Sequence, residues 1–272
     1  MLQVNRVIVW FTKVYISNNN PKVIIMRYAG SKARLMKHLL PFLTEHLVDE
    51  NTPFIDAFCG GANVIAKVPG KNKMGIELNK YVCALWQHIQ KHGMDGIPES
   101  VTEEQYYDIK DDYINKGGKY PDWLIGYVGN CCSYGSAWFN GYSGFNPNKN
   151  EDHIAEAYRG LKKQVETFIN LKETAFINAS CMDIAYFQKG SVIYCDPPYA
   201  DTKKYESDFD HARFWDWVRN LSNNGIYVYV SEYNAPDDFK CIWQMKRKDG
   251  MATTKKGKKQ NDKIEKLFVY GG

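Results

Sequence analysis

Phe54-Ile55-Asp56-Ala57-Phe58-Cys59-Gly60-Gly61 is the stretch on which the fold turns. A short apolar run, an acid and a paired-glycine turn describe a buried strand leaving a sheet, and residues 62–66 read as the start of the helix beyond it. A second candidate strand, 73–77, also ends in an acid at Glu77, and helical spacing follows over 79–90. Alternating units of this kind predict an α/β fold with a largely parallel sheet. The same rhythm returns downstream with strands at 174–177, 192–195 and 226–230, a helix at 211–221, and a closing strand at 266–270. Upstream, Leu35, Leu39, Leu40, Leu43 and Leu47 have helical spacing interrupted by Pro41, which predicts one or two helices.

Between about Gly93 and Lys172 the rhythm stops, and the chain becomes rich in Tyr, Asn, Gly and Trp before helical spacing resumes over 152–169. This stretch reads as an insertion. The 272 residues suffice for a sizeable core, and the formal charge of +4 neither requires nor excludes a nucleic-acid partner. Charge is clustered, however: Lys246, Arg247 and Lys248 precede Lys255, Lys256, Lys258 and Lys259. The seven cysteines show no CxxC spacing and read as reduced thiols, and no HExxH or histidine cluster suggests a metal. The apolar stretch 7–11 is too short to span a membrane and lacks a cleavage site, so the chain reads as cytoplasmic. Residues 1–25 read as an N-terminal extension, or as lying upstream of a start within the chain.

The turn and the second acid together suggest a nucleoside site. Parallel strands bind ligands at their carboxyl edge, and an acid about 20 residues beyond a glycine turn can accept hydrogen bonds from ribose hydroxyls. Glu77 has that place. The spacing fixes a ribose-bearing cofactor without naming it. The dinucleotide fingerprint GxGxxG is absent, which leans toward S-adenosylmethionine.

Asp196-Pro197-Pro198-Tyr199 directly follows the apolar run 192–195, so the sheet would deliver it to the same edge. A given four-letter string recurs by chance roughly once in several hundred chains of this length. Its residues suit one chemistry. An exocyclic adenine amine is a poor nucleophile because its lone pair is delocalised into the ring, and acceptors for its hydrogens favour a tetrahedral nitrogen. Asp196 and the Pro197 carbonyl can supply two acceptors, held by prolines that fix φ, and Tyr199 can stack on the base. A base inside a duplex must be flipped out to reach such a pocket.

With these residues in view, the chain resembles the DNA adenine methyltransferase family, the N6-adenine-specific D12 type, over about 26–270. Tyr28-Ala29-Gly30-Ser31-Lys32 is similar to the family's N-terminal motif, with Ser31 where Gly is usual; Tyr28 and Lys32 are thereby implied at the cofactor and active site. Residues 54–61 resemble the methionine-binding motif, which implies Asp56, Phe58, Cys59, Gly60 and Gly61 around the cofactor, with Glu77 and Asn79 at the ribose end. Residues 178–183 resemble the stretch that contacts the cofactor's adenine, which implies Asp183 and Ile184, the latter where Phe is more usual. Asp196 to Tyr199 matches the catalytic motif, with Asp196 also at the cofactor, and 231–236 resembles a segment near the target pocket.

The resemblance implies a Rossmann-like methyltransferase sheet, mostly parallel and antiparallel near its C-terminal edge, with an inserted helical target-recognition domain. The expected division is 26–92 and 173–272 for the catalytic domain and 93–172 for recognition. Double-stranded DNA is the implied partner, through Tyr134, Trp138 and Asn140 in the insertion and Lys255, Lys256, Lys258 and Lys259 near the C-terminus. A bacterial or phage-infected host cell, a monomer or weak dimer, and room for a cognate restriction endonuclease complete the expectation. RNA adenine methylation shares the fold and often the motif, and a catalytically silent nucleic-acid-binding protein is the rival from another class. Both Lys32 and the complete tetrapeptide speak against the silent binder.

Overall fold

A computed structural model of the protein describes residues 26–148, 150–198, 209–247 and 263–271. In chain order its elements begin with helix α1 (Met36–Thr44), strands β1 (Phe54–Asp56) and β2 (Lys73–Glu77), and helices α2 (Lys80–His92), α3 (Glu103–Asn115) and α4 (Asp122–Cys131). A small pair, β3 (Phe145–Asn146) and β4 (Glu151–Asp152), leads into helix α5 (His153–Thr167). Strands β5 (Thr174–Asn178) and β6 (Val192–Cys195), helix α6 (His211–Asn223), and strands β7 (Tyr227–Glu232), β8 (Phe239–Arg247) and β9 (Lys263–Tyr270) complete it.

Seven strands form one sheet in the order β5-β2-β1-β6-β7-β9-β8. The first five are mutually parallel, and β9 runs antiparallel to both β7 and β8. The fold is therefore α/β with a mostly parallel sheet and an antiparallel C-terminal edge. Strand order reverses between β1 and β6, which opens a crevice at their carboxyl ends. Both strands are buried throughout, as central parallel strands covered on two faces must be.

Alternation along the strands divides the core. Phe54, Val192, Tyr194 and Tyr229 face one apolar cluster with α1 and α2, while Ile55, Ile193, Val228 and Val230 face another built on Phe214, Trp215 and Val218 of α6. The first cluster continues without a break into α3, α4 and α5 through Tyr106, Ile125, Tyr127 and Leu161. Helix α4 approaches α2 so closely that a Cβ at Gly126 would lie 2.1 Å from the carbonyl oxygen of Tyr81. Helix α2 starts on Asn79, whose side chain accepts from the N–H groups of Tyr81 and Val82. A capping box of Thr102 and Gln105 starts α3, and Asp152 caps α5.

One local expectation is corrected and two are sharpened. Residues 62–66 form successive turns instead of a helix: Ala62 is left-handed at φ 52°, and the Ile65 N–H donates to Asp56 Oδ2 (3.3 Å). Helix α1 runs through Pro41 as a single element. The expected closing strand has a partner, β8, that the basic residues Lys246 and Arg247 concealed. Residues 1–25 lie outside the described residues, as does the expected extension with them.

Candidate active site

All five parallel strands end at one edge, and several end in acids: Asp56 at β1, Glu77 at β2, Asp196 just past β6 and Glu232 at β7. The turn after β1 is built around Glu77. Its Oε2 accepts from the Gly60 N–H (2.8 Å) and its Oε1 from the Asn79 N–H (2.7 Å). Burial raises the pKa of Glu77 from its ordinary value, against hydrogen bonds from the N–H groups of Asn79, Gly60 and Leu78. Gly60 is left-handed at φ 47°, and a Cβ there would come within 2.6 Å of the Tyr28 ring; one at Gly61 would lie 2.7 Å from Tyr28 Cβ. The two glycines thus let an aromatic side chain from the N-terminal motif lie directly on the turn.

Polar side chains then fix the turn's carbonyls. Trp86 Nε1 donates to the Gly60 carbonyl (2.9 Å), and Gln164 Nε2 donates to that of Gly61 (2.8 Å). The other end of Gln164 accepts from the Met26 N–H (2.9 Å), while Asn130 donates to the Arg27 carbonyl (3.1 Å). Helices α4 and α5 therefore hold the N-terminal motif and the glycine turn from one side. Gln164 and Asn130 escaped the sequence reading. For Gln164 a signal existed: it occupies the apolar stripe of α5 with Ala157, Gly160 and Leu161.

Asp56 is 2% exposed, and burial, reinforced by the charges of Asp196 and Glu77, raises its pKa to about 7 against hydrogen bonds from Ile65 and Phe58. Cys59 is buried, and its thiol is pushed far up by that burial, so it serves as packing. Lys32 crosses from the N-terminal motif to Asp196, with Nζ 2.8 Å from each carboxylate oxygen. Its side chain is 3% exposed, and Nζ also reaches the Gly30 carbonyl (3.3 Å) and Glu265 Oε1 (3.4 Å). Pro197 is buried and Pro198 half-buried, while Tyr199 lies outside the described residues.

Phe58 is half-buried against Phe209 and Phe214, each ring centroid 5.8 Å away. Asp183 is exposed and pairs with Arg213 of α6 (2.6 Å), an anchor the sequence reading missed, and Ile184 is half-buried beside it. In the insertion, Tyr134 is 67% exposed and Asn140 is exposed, but Trp138 packs against Tyr81, Tyr113 and Phe139. Lys255, Lys256, Lys258 and Lys259 lie outside the described residues. Among the described residues no group of His, Cys, Asp and Glu could hold a metal, and no helix is long and apolar enough to cross a membrane.

The arrangement can bind a cation beside carboxylates, hold a nucleoside at Glu77 and offer Asp196 to an incoming group. The type II methyltransferase M.FokI of Planomicrobium okeanokoites is 23% identical over 234 residues, 76% of this chain and 35% of that protein. The modification methylase StsI of Streptococcus sanguinis is 26% identical over 243 residues, 85% of this chain and 35% of that protein. The chain thus spans about a third of the length of these relatives. Residues 28–244, which run from the N-terminal motif through the glycine turn and Asp196 into β8, match the family's own sequence pattern, and the chain belongs to the D12 class N6 adenine-specific DNA methyltransferase family.

Proposed function

We propose that this chain transfers the methyl group of S-adenosylmethionine to the exocyclic amine of a flipped adenine in double-stranded DNA. The observation that carries the reading is Asp196, directly after a central strand, held on both oxygens by Lys32 and set at the same edge as Asp56, Glu77 and the Tyr28-covered glycine turn. The donor set suits this cofactor. Carboxylates at the edge favour a cationic ligand and would repel the pyrophosphate of a dinucleotide, and the Glu77 carboxylate, as an acceptor, suits ribose hydroxyls.

When bound, the cofactor supplies a methyl group on a cationic sulfur, whose C–S pair stays on sulfur as the amine lone pair forms the new N–C bond. Asp196 accepts one amine hydrogen and the Pro197 carbonyl the other, which draws the nitrogen toward a tetrahedral shape. As positive charge develops on that nitrogen, the Asp196 carboxylate stabilises it and takes the proton on its way to water. Tyr28, Phe58 and the Gly60–Gly61 turn shape the methionine end, Glu77 and Asn79 the ribose end, and Asp183 and Ile184 the adenine end. Tyr199 stacks on the flipped base.

In this reading, 26–92 and 173–272 form the catalytic domain and 93–172 the target-recognition domain. Tyr134 and Asn140 are its exposed candidates for DNA, and Lys255, Lys256, Lys258 and Lys259 contact phosphates. A monomer or weak dimer acting in the cytoplasm beside a cognate restriction endonuclease is the setting we propose.

Incubation with labelled S-adenosylmethionine and unmethylated duplex DNA, followed by digestion, should yield labelled N6-methyladenine nucleoside. Asp196→Ala should abolish transfer while cofactor binding stays measurable. Label in RNA alone, or transfer by Asp196→Ala near the unmodified rate, overturns the reading.

A further inference from the structure

The site edge holds a carboxylate with no part in the reaction just described. Glu265 is the third residue of β9, and its side chain is 0% exposed. Strand β9 pairs antiparallel with β7 through Glu232↔Lys266 and Ser231↔Leu267, so it starts at the edge where β7 ends. A buried carboxylate there is costly unless a cation answers it, and Lys32 Nζ lies 3.4 Å from Glu265 Oε1.

Lys32 is thereby shared. Its three N–H donors face at least four acceptors, both oxygens of Asp196 at 2.8 Å, the Gly30 carbonyl at 3.3 Å and Glu265 at 3.4 Å, so at least one contact is always shared or forgone. The two carboxylates differ in access. The Asp196 side chain is 20% exposed, whereas that of Glu265 is fully buried.

We infer that Glu265 is a positioning residue for methyl transfer: it is the fixed counter-charge that keeps Lys32 in place while Asp196 turns an oxygen from the lysine to the target amine. With Asp196 as its main anion, the desolvated ammonium would hold both oxygens, and an incoming amine hydrogen would have to displace it. With Glu265 and the Gly30 carbonyl behind it, Lys32 keeps three acceptors after giving one oxygen up. Its charge stays beside Asp196, and neither carboxylate is left buried alone. The inference rests on the reading of Asp196 as the amine's acceptor. Glu265 touches neither substrate nor cofactor in it.

The test compares the full-length protein with Glu265→Gln and Glu265→Asp in single-turnover transfer to duplex DNA, alongside cofactor and DNA dissociation constants and melting temperature. Glu265→Gln, which keeps the shape and removes the charge, should slow the chemical step about tenfold or more, with both dissociation constants within about twofold of the unmodified protein. Glu265→Asp, which keeps the charge, should be at least about threefold faster than Glu265→Gln. A purely structural role predicts that binding and melting fall together with rate and that the two variants behave alike; either result overturns the inference, as does an unchanged rate in Glu265→Gln. If Glu265→Gln does not fold, Glu265→Asp carries the test alone: a chemical step slowed about twofold or more with both dissociation constants within about twofold supports the inference, and an unchanged rate, or a loss of binding in step with rate, overturns it. An unmodified protein that leaves DNA adenine unlabelled retires the reading of the site itself, whereas an active one with an indifferent Glu265 retires only this inference.

Discussion

Replacing Asp56 with Asn should remove a pH dependence of stability that the wild-type chain carries. Burial places the Asp56 pKa at about 7 in the folded state against an ordinary value of 3.8. The folded state therefore holds this proton more tightly than the unfolded chain does. The stabilisation is present below about pH 4, declines as pH rises, and is lost through pH 7. Summed over one site with these two values, the loss between pH 5 and pH 8 is roughly 2–3 kcal/mol. For a chain of this size that corresponds to a fall in melting temperature of roughly 4–5 °C. The Asn side chain keeps an acceptor for the Ile65 N–H but cannot ionise. Melting followed by circular dichroism at pH 5 and pH 8 should show the difference between the two proteins changing by that amount, in favour of the Asp56→Asn variant at the higher pH. A constant difference would refute the assignment of a buried, readily protonated acid. The same property bears on the ligand: a cation bound nearby favours the ionised form, so S-adenosylmethionine binding near pH 7 should release protons. Titration calorimetry in buffers of different ionisation enthalpy measures this, and Asp56→Asn should abolish it.

Gly60→Ala places a Cβ 2.6 Å from the Tyr28 ring on a left-handed residue; it should weaken S-adenosylmethionine binding at least about tenfold by calorimetry, and an unchanged affinity would reject the turn as a cofactor contact. Gln164→Leu leaves the Met26 N–H and the Gly61 carbonyl without their buried partner, a loss of roughly 2–4 kcal/mol in urea unfolding, with weakened cofactor binding as its companion; stability within about 0.5 kcal/mol of wild type would contradict this. Lys73 is buried under the carbonyls of Ile65, Val68 and Ile169, so Lys73→Met should cost roughly 2–3 kcal/mol in the same assay, and a gain in stability would refute its role in holding the 62–70 turns.

The strands of the parallel half were readable because each is a brief apolar run closed by an acid or a turn: 192–195 was predicted as the structure has it, and 73–77 likewise. So was the convergence of Asp56, Glu77 and Asp196, since topology sends residues after parallel strands to one edge; Lys32, which precedes α1, was implied there only by the family resemblance. The turns at 62–66 were not readable. Ala62-Asn63-Val64-Ile65-Ala66 suits a helix locally, and what prevents it is a tertiary bond to Asp56. Helices α3 and α4 were hidden for opposite reasons: α3 buries only Tyr106 and Ile109, too few for a stripe, while α4 is buried on almost every side from Ile125 to Cys131. Glu265 stands in a run of lysine and apolar residues, where an acid reads as solvent-facing. Its partner, Lys32, lies near the other end of the chain. Trp138, an expected DNA contact, is half-buried, and the packing of its ring on Tyr81 and Phe139 rests on tertiary contacts that local sequence does not reveal.

The double grip of Gln164 on Met26 and Gly61 bears on how the protein comes together. Most of what forms the glycine turn has been synthesised by residue 86, where Trp86 supplies the donor to the Gly60 carbonyl, but the side chain that holds Gly61 arrives on α5, more than seventy residues later. Until α5 docks, the Gly61 carbonyl and the Met26 amide have only water to satisfy them, so the turn stays loose on a growing chain. A long loop must close before those bonds form, which makes their appearance a late and slow event in folding. Competence to bind the nucleoside should therefore be gained only after the helical stretch between β2 and β5 has packed, and a fragment ending before α5 should fold its first strands without acquiring a ligand site.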